Sequence, residues 1–556
     1  YAFDVLMQIY EAQGYTQRDA ARLIVEKNLY GLDIDKRAYQ LAYFAVMMKA
    51  RQYNRRILNG EIRPHLYAIQ DSNGINRNQL QFFGWSMGDV ERNKALTQVE
   101  YLLDTFRDAK EYGSILSVDM LDWELLYRFA GTVDYSDQIS LDELNLEATK
   151  DALWTLIEQG AVLAQKYDVV VTNPPYMGSS GMNARLSQYV KDHFPDTKAD
   201  LFSCFIERGF QLANVQGFVS MITMESWMFL SSFEKLREKM MLTETVSMAH
   251  LGARAFEEIG GEVVQTTSFV RVRTHIDNYK GVYCRLIEPT TQQGKEEMFL
   301  AGKNRYTANQ DNFAKIPGSS VAYWLSRNSL VNFDKVFLEN FANSREGVTT
   351  GCNDQFLRLW YEVAFGNIGW NAKAANDTIN CNFKWYKQMK GGDFRRWYGN
   401  REYVIDWENN GDRIQHFADE KTGRIRSHNY NLDYNFHEML TWTNISTGKF
   451  SLRYVEEGFV FDTTSSAMFL SHRNVFYVLA LMNSCVAQNY LSVLCPTLKY
   501  QPGNVVKVPY IEKSKGDVEE LSKKCVALSK DDWDSFETSW DFTRHPFIKA
   551  ITKYPN

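Results

Sequence analysis

Apolar and polar positions in the first half of the chain repeat with the period of α-helices, interrupted by short apolar runs typical of strands. Residues 1–10 and 16–27 have helical patterns, and Thr16 is placed to cap the second helix. Residues 28–35 form a strand pattern ending in Asp33 and Asp35, and a helical pattern follows over 37–51. These carboxylates either cap that helix or hold ribose hydroxyls, as in nucleotide-binding folds.

The same alternation continues as far as residue 274. Helical patterns cover residues 96–110, 141–166 and 198–213, and strand patterns cover 169–171 and 217–223. The run Val169, Val170 and Val171 is typical of a strand buried on both faces of a sheet. Residues 255–273 are expected to form a loop and a closing hairpin. This order predicts an α/β fold.

Beyond residue 274 the alternation is lost, and short aromatic-rich segments separated by polar turns replace it. Residues 384–401 hold six basic residues against one acid, with aromatic residues between them. Such a mixture is typical of nucleic-acid surfaces, although a charged rim over buried aromatic rings fits the pattern equally well. The candidate DNA contacts are Lys384, Lys387, Lys390, Arg395, Arg396, Trp397 and Arg401.

Length, apolar content, cysteine spacing and net charge limit the kinds of protein that this chain can be. A chain of 556 residues with 45% apolar residues is expected to form more than one domain. No apolar run approaches the length of a membrane span, and the seven cysteines are scattered without a C-x-x-C pair. We therefore expect a cytoplasmic protein with no membrane partner and no metal site. The net charge of −6 means that DNA binding would require a local basic patch.

Asn173-Pro174-Pro175-Tyr176 follows the valine run directly. The prolines must end the strand, so these residues form a stiff loop at its carboxyl end, where open α/β sheets bind ligands. The Asn173 side-chain oxygen and the Pro174 carbonyl could accept both hydrogens of a nucleobase amine and localise its lone pair. The Tyr176 ring could stack on the base. An ordinary turn is the alternative.

A strand ending in N-P-P-Y resembles motif IV of the amino-methyltransferases that use S-adenosylmethionine. The chain also resembles the adenine-specific DNA methyltransferases of BREX phage-defence systems, the PglX family, in stretches such as residues 350–360, 391–400 and 481–484. The resemblance implies a class I (Rossmann-like) methyltransferase sheet followed by a mixed α+β target-recognition domain. It places the methyltransferase domain at 1–275, a connecting region at 276–345, DNA recognition at 346–512 and the start of a C-terminal region at 513–556.

The resemblance also implies roles for particular residues. Motifs II, III and V would contact S-adenosylmethionine, and the motif VIII loop within residues 255–273 would stack an aromatic ring on a flipped base. The implied catalytic residues are Asn173, Pro174, Pro175, Tyr176 and Phe256. The implied cofactor contacts are Asp33, Ile34, Gly113, Ser114, Asn173 and Asp200.

Family members bind the cofactor first through a glycine-rich loop that precedes a helix resembling residues 1–10. The sequence has no such loop before Asp33. The sheet is therefore expected to lack its first strand and this loop within residues 1–556, which alone would bind S-adenosylmethionine poorly and not methylate.

The resulting hypothesis is a site-specific DNA adenine methyltransferase of a phage-defence system, acting on double-stranded DNA, with other defence proteins as further candidate partners. Transfer to cytosine or to a protein glutamine is one alternative. A non-catalytic DNA-binding or scaffolding subunit is another.

Overall fold

The computed structural model describes residues 1–59, 62–133, 141–256 and 264–548. The chain divides into two compact units. The first comprises Tyr1–Trp227 and Glu238–Arg305, and the second comprises Met228–Arg237 and Tyr306–Asn556. The predicted methyltransferase domain ended at residue 275, but the structure places the next strand, Gly281–Arg285, in the sheet of the first unit. The predicted connecting region at 276–345 is therefore divided between the two units.

Eight strands lie in the described residues between positions 30 and 308. They are β1 (Tyr30–Asp33), β2 (His65–Ala68), β3 (Tyr167–Thr172), β4 (Ala213–Met224), β5 (Glu244–Ala253), β6 (Gln265–Val272), β7 (Gly281–Arg285) and β8 (Arg305–Ala308). Strands β1 and β2 form a separate parallel pair. The others form a sheet in the order β3-β4-β6-β5-β7-β8, where β3 pairs in parallel with β4 and the β5–β6 hairpin is antiparallel.

The helices of this part of the chain pack against the strands and against one another. They are α1 (Ala2–Ala12), α2 (Gln17–Leu23), α3 (Lys36–Tyr53), α4 (Asp89–Thr105), α5 (Ala109–Tyr112), α6 (Trp123–Gly131), α7 (Leu141–Ala164), α8 (Ala184–His193), α9 (Leu201–Leu212), α10 (Glu234–Met240) and α11 (Gln292–Leu300). A core of Leu102, Leu126 and Ile157 joins α4, α6 and α7. The Thr16 hydroxyl caps α2, as predicted, by accepting a hydrogen bond from the Asp19 amide.

The second unit contains two four-stranded sheets. Its strands are β9 (Ala342–Arg345), β10 (Leu357–Leu359), β11 (Trp385–Met389), β12 (Tyr403–Asp406), β13 (Met439–Thr441), β14 (Arg453–Val455), β15 (Val460–Phe461) and β16 (Ala467–Leu470). They are ordered β10-β12-β11-β15 and β14-β13-β16-β9. The α/β class and the change to short mixed elements after residue 274 are confirmed.

Seven further α-helices lie in the described residues after position 308. They are α12 (Arg327–Val331), α13 (Asn353–Phe356), α14 (Glu408–Gln415), α15 (Val475–Asn483), α16 (Cys485–Leu494), α17 (Pro502–Val505) and α18 (Lys515–Trp533). A core that includes Trp442, Leu479 and Tyr490 joins the second of the two sheets to α15 and α16. None of the described helices is long and apolar enough to cross a membrane.

The prediction that the valine run is buried on both faces was wrong. Val169 is 58% exposed and Val171 is 70% exposed, whereas Val170 is half-buried. Val169 and Val171 point to one face of β3 and Val170 to the other, so the face that carries Val169 and Val171 is left uncovered by the described residues. Strand β3 is also the edge strand of its sheet and pairs only with β4 among the described residues. A run of apolar residues predicts the strand but does not show whether other elements cover both of its faces.

Candidate active site and nucleic-acid interface

The loop at residues 173–176 leaves β3 at its carboxyl end. Asn173 is exposed, and its side chain makes no hydrogen bond within the described part of the chain. Pro174 is buried and Pro175 exposed, so the loop is anchored at one proline while the amide before it faces solvent. Because a proline ring fixes its own φ, this anchor limits the directions in which Asn173 can point. An available amide oxygen next to a rigid anchor suits the binding of an amine.

Tyr176, three residues after Asn173, is half-buried. Its hydroxyl donates a long hydrogen bond to the Ile222 carbonyl at 3.4 Å, and its ring lies edge-on to Phe202, with ring centroids 6.2 Å apart. Burial raises the pKa of the Tyr176 phenol, so the group stays neutral. The edge contact leaves a face of the ring that can stack on a planar group.

Asp200 holds the far end of this loop. Its carboxylate accepts hydrogen bonds from the amide of Met177 at 3.0 Å and from the amide of Phe202 at 3.3 Å. The Leu201 amide donates to the Met177 carbonyl at 2.9 Å. Asp200 is also the N-cap of α9. Burial raises the pKa of its carboxyl, and the backbone amides oppose that shift. Asp200 therefore positions the loop by joining it to α9.

The residues assigned to motifs II and III meet in space although they are far apart in sequence. Gly113 has φ +60°, and a Cβ placed on it would lie 2.9 Å from the Cγ2 atom of Ile34. Ile34 is exposed and follows β1 directly. Asp33 accepts a hydrogen bond from the Asp35 amide at 2.8 Å, and Asp35 itself caps α3. Capping thus falls to Asp35, and Asp33 remains at the strand end beside an exposed apolar side chain.

A cavity of about 230 Å³ brings three predicted segments together. Its lining includes Gly31 and Leu32 of β1, Ser114 of the motif III segment, and Val169 and Thr172 of β3. The cavity thus lies between the carboxylate-ended strand and the strand that carries Asn173. An apolar wall with a carboxylate-ended strand alongside fits an adenosine group, because the flat face of the base can pack on apolar side chains and the ribose carries two hydroxyls.

Arg208 is a residue at this cavity that the sequence patterns did not single out. It lies on α9, is buried, and donates hydrogen bonds to the Leu163 carbonyl at 2.9 Å and the Ser114 carbonyl at 3.4 Å. Burial lowers the pKa of its guanidinium to about 10. Arg208 therefore helps to fix the backbone of Ser114 at the cavity through this hydrogen bond. In the sequence, the only signal for this structural role of Arg208 is its position on the inner face of an amphipathic helix. Its hydrogen-bond partners come from distant parts of the chain.

Phe256 begins the loop that follows β5, and residues 257–263 lie outside the described part of the chain. Register fixes its edge of the sheet. Thr172 of β3 pairs with Met221 of β4, and Met224 of β4 pairs with Thr266 of β6. Thr266 in turn pairs with Gly252 of β5. Strands β3, β4 and β5 therefore run in the same direction, and their carboxyl ends lie at one edge of the sheet. Phe256 follows β5, so it lies at the same edge as the Asn173 loop, where it is half-buried.

The structure corrects the candidate DNA patch at residues 384–401. Arg401 is 1% exposed and forms a two-pronged ion pair with Glu456 at 2.6 Å. Lys387 lies over the Phe459 ring, and burial lowers the pKa of its ammonium group. Arg401 is buried against Glu456 and Lys387 packs over Phe459, so neither side chain is available to a phosphate group.

Other cations of the patch are also paired within the second unit. Lys384 lies 3.6 Å from Asp406, Lys390 lies 3.6 Å from Asp462, and Arg395 lies 3.0 Å from Asp532. Arg396 and Trp397 are half-buried, and the Arg396 guanidinium lies over the Phe394 ring. The charged-rim alternative therefore describes this segment better than a free DNA surface does.

Metal ligation has no candidate site in the described ranges, where no group of three or more His, Cys, Asp or Glu side chains could hold an ion. The predicted chemistry at Asn173 requires only hydrogen-bond acceptors and a stacking surface.

Comparisons with known proteins show which sequences and folds the chain resembles. Residues 27–250 match the family model of the Eco57I restriction-modification methylase. The chain is 40% identical to the adenine-specific methyltransferase PglX of Lacticaseibacillus casei (strain Zhang), over 100% of the chain and 46% of that protein. It is 38% identical to the adenine-specific methyltransferase BrxX of Escherichia coli O9:H4 (strain HS), over 99% of the chain and 46% of that protein. The chain thus spans about half the length of the curated relatives it matches.

A solved structure shares the fold. The Type IIL restriction-modification enzyme MmeI, determined in complex with DNA, superimposes with a TM-score of 0.50 at 12% identity, over 99% of this chain and 72% of that one. The match extends over nearly all of the sequence, so it concerns the first and second units alike.

Proposed function

Because the chain is homologous over its whole length to the adenine-specific methyltransferases PglX and BrxX, we propose that it carries the methyl-transfer site and the DNA-recognition unit of a site-specific DNA adenine methyltransferase. The observation that carries the proposal is the exposed amide of Asn173 beside the buried Pro174, in a loop that Asp200 holds to α9. The homology to these methyltransferases supports adenine in DNA as the substrate class of this proposal.

S-adenosylmethionine would supply an electrophilic methyl group at this site. Ile34, which contacts Gly113, would pack on its adenine ring, and Asp33 would accept hydrogen bonds from its ribose. Ser114 lies at the cavity beside them. These groups bind and orient the cofactor. Positioning of this kind accounts for much of the rate in transfers between two bound reactants.

The chain acts on the target base by accepting hydrogen bonds. The flipped adenine would stack on Tyr176, and Phe256 would cover its other face. The Asn173 side-chain oxygen and the Pro174 carbonyl would accept the two hydrogens of the exocyclic amine, which directs the nitrogen lone pair toward the methyl group. The amine becomes acidic only after alkylation, so its proton can pass to solvent without a dedicated base. Such preorganised acceptors stabilise the transition state more than the ground state.

The second unit would recognise the DNA sequence, and the protein would act within a phage-defence system, as its resemblance to the BREX methyltransferases implies. Transfer of tritium from labelled S-adenosylmethionine to duplex DNA tests the proposal, and sequencing that detects modified bases then identifies the position. Incorporation into adenine is expected. Incorporation into cytosine or protein, or the absence of any transfer by the intact protein, would contradict it.

Replacing Gly113 with alanine is expected to weaken cofactor binding. The new Cβ would meet Ile34 at a distance that real Cβ atoms do not show, and φ +60° would strain the backbone. A strained position of this kind costs roughly 1–3 kcal/mol, so we expect the Kd for S-adenosylmethionine to rise by about tenfold or more. Isothermal titration calorimetry measures it.

Gly74→Ala is the matched control, because a Cβ there meets nothing within 4 Å. Equal cofactor affinity in the Gly113 and Gly74 variants would show that the contact between Ile34 and Gly113 is not part of the cofactor site.

A further inference from the structure

A short hairpin at residues 417–430, called here the basic hairpin, projects from the second unit. Its tip is fixed by backbone hydrogen bonds, in which the Asp419 amide donates to the Arg424 carbonyl and the Gly423 amide to the Asp419 carbonyl, both at 2.8 Å. The Asp419 carboxylate accepts from the amides of Lys421 and Thr422. Its negative charge is therefore directed into the turn.

The returning arm of the hairpin is anchored to the rest of the unit. Ser427 is buried, and its hydroxyl donates to the Ile414 carbonyl at 2.6 Å. Thr349 and His428 exchange two backbone hydrogen bonds of 2.9 and 3.0 Å. A tip held by its own turn on an anchored arm presents its outer side chains in defined positions.

The side chains on this arm differ sharply in exposure. Ser427 points inward, whereas Arg424, Arg426, His428 and Tyr430 are all exposed. The rings of His428 and Tyr430 are parallel, with an interplanar angle of 3° and a centroid distance of 5.6 Å. Two cations followed by two aligned rings is a combination that suits phosphate groups and nucleobases.

The cations of the basic hairpin differ from those of residues 384–401 in being available. Across the described residues, Lys421, Arg424 and Arg426 form no ion pair, although the Arg426 guanidinium lies 5.8 Å from the centroid of the Phe417 ring and interacts electrostatically with the nearby Asp419. By contrast, Lys384, Lys390, Arg395 and Arg401 each have an acidic partner. An unpaired exposed guanidinium can neutralise a phosphate without first breaking an internal ion pair.

A polar cleft of about 550 Å³ adjoins the hairpin at Tyr430. Lys499 and Gln501 lie exposed on one side of it, and Arg345, Glu346 and Asn431 line the other. Asn431 is held by a hydrogen bond from its amide to the Glu346 carbonyl at 2.8 Å. The cleft thus offers both donors and acceptors, which is what discrimination among base edges requires.

We propose that the basic hairpin and this cleft form the surface of the second unit that contacts duplex DNA, with Arg424 and Arg426 on phosphates and Gln501 and Lys499 at base edges. The proposal rests on the proposed function and assigns its recognition surface. A glutamine amide pairs with adenine and a lysine ammonium with guanine, so this cleft suits a site containing both bases.

Charge reversal tests the phosphate contacts. For Arg424→Glu/Arg426→Glu we expect weaker binding to a fluorescent duplex of mixed sequence. The slope of log affinity against log salt should become shallower by about 0.9 for each phosphate that is no longer neutralised, or about two in all. Lys513→Glu/Lys524→Glu makes the same charge change at exposed residues elsewhere in the unit and should keep the wild-type slope.

Arg424→Gln/Arg426→Gln provides a second variant that removes charge without adding repulsion, and thermal melting confirms that each variant is folded. A folded glutamine variant with the wild-type salt slope would overturn the assignment of the phosphate contacts.

Base reading is tested with Gln501→Ala in a selection of bound duplexes from a randomised pool. We expect a relaxed preference at one position of the selected site, with nonspecific affinity within about twofold of wild type. An unchanged preference would overturn the role of the cleft. Tritium transfer by the intact protein separates this surface from the proposed function. Transfer by the intact protein combined with unaffected variants overturns only this surface. The absence of transfer by the intact protein to any duplex overturns the proposed function and this surface with it.

Discussion

Asn173→Ala is expected to abolish methyl transfer while the protein remains folded. The substitution removes the side-chain oxygen that would act on the reacting amine, and Asn173 makes no hydrogen bond within the described residues that folding depends on. Loss of one preorganised acceptor costs roughly 3–4 kcal/mol of transition-state stabilisation, a rate loss of about 10²–10³-fold. Initial rates of tritium transfer at saturating cofactor measure this loss.

Asn93→Ala is the matched control for that experiment. Asn93 is an exposed asparagine of the first unit, on α4 and away from the loop, and its side chain has no hydrogen-bond partner in the described residues. Thermal melting of both variants should match wild type within a degree or two. Transfer by Asn173→Ala at the rate of the Asn93 control would show that the loop after β3 is not the catalytic site.

The largest effect on stability is expected from Glu456→Gln. Arg401 would keep its buried guanidinium but lose the carboxylate that neutralises it, and breaking a buried pair from one side costs about 3–5 kcal/mol. The Glu456 side chain is 46% exposed, so we expect a value near the lower end. Thermal melting, with hydrogen exchange in peptides from β12 and β14, measures the loss in the second unit.

The effect should depend on pH in a defined direction. Burial opposes ionisation of Glu456, but the Arg401 guanidinium outweighs it and lowers the pKa of the carboxyl to about 2. A depressed carboxyl pKa contributes stability fully above the unfolded value, near 4.5, and loses it as the pH falls toward 2. The difference between wild type and Glu456→Gln should therefore be largest at neutral pH and shrink below about pH 4.5.

The exposed pair of Glu520 and Lys524 provides the control, since Glu520→Gln should change stability by less than about 1 kcal/mol. Arg401→Met/Glu456→Gln should recover much of the loss, because the buried charge disappears with its partner. A Glu456→Gln protein as stable as wild type would mean that water or another group compensates the Arg401 charge and that the ion pair does not stabilise the second unit.

Local sequence patterns were sufficient to locate the individual segments of the candidate active site. A run of three valines before two prolines predicts a strand that ends in a stiff loop, and Asn173 lies where that pattern placed it. The strand before Asp33 and the helix after it were equally predictable. Such features follow from side-chain periodicity and the fixed φ of proline, which act over a few residues.

Which charged groups are free depends instead on how distant segments fold together. The partner of Arg401 is 55 positions away, and the partner of Arg395 is 137 positions away. The sequence shows a cluster of cations at residues 384–401 but not the carboxylates that the fold brings to them, whereas Lys421, Arg424 and Arg426 form no ion pair among the described residues. Likewise, Val169 and Val171 are exposed because no other described element covers their face of β3, a matter of packing rather than of residue type. Hydrophobicity and charge are properties of single residues, but burial and pairing are set by contacts between distant parts of the chain.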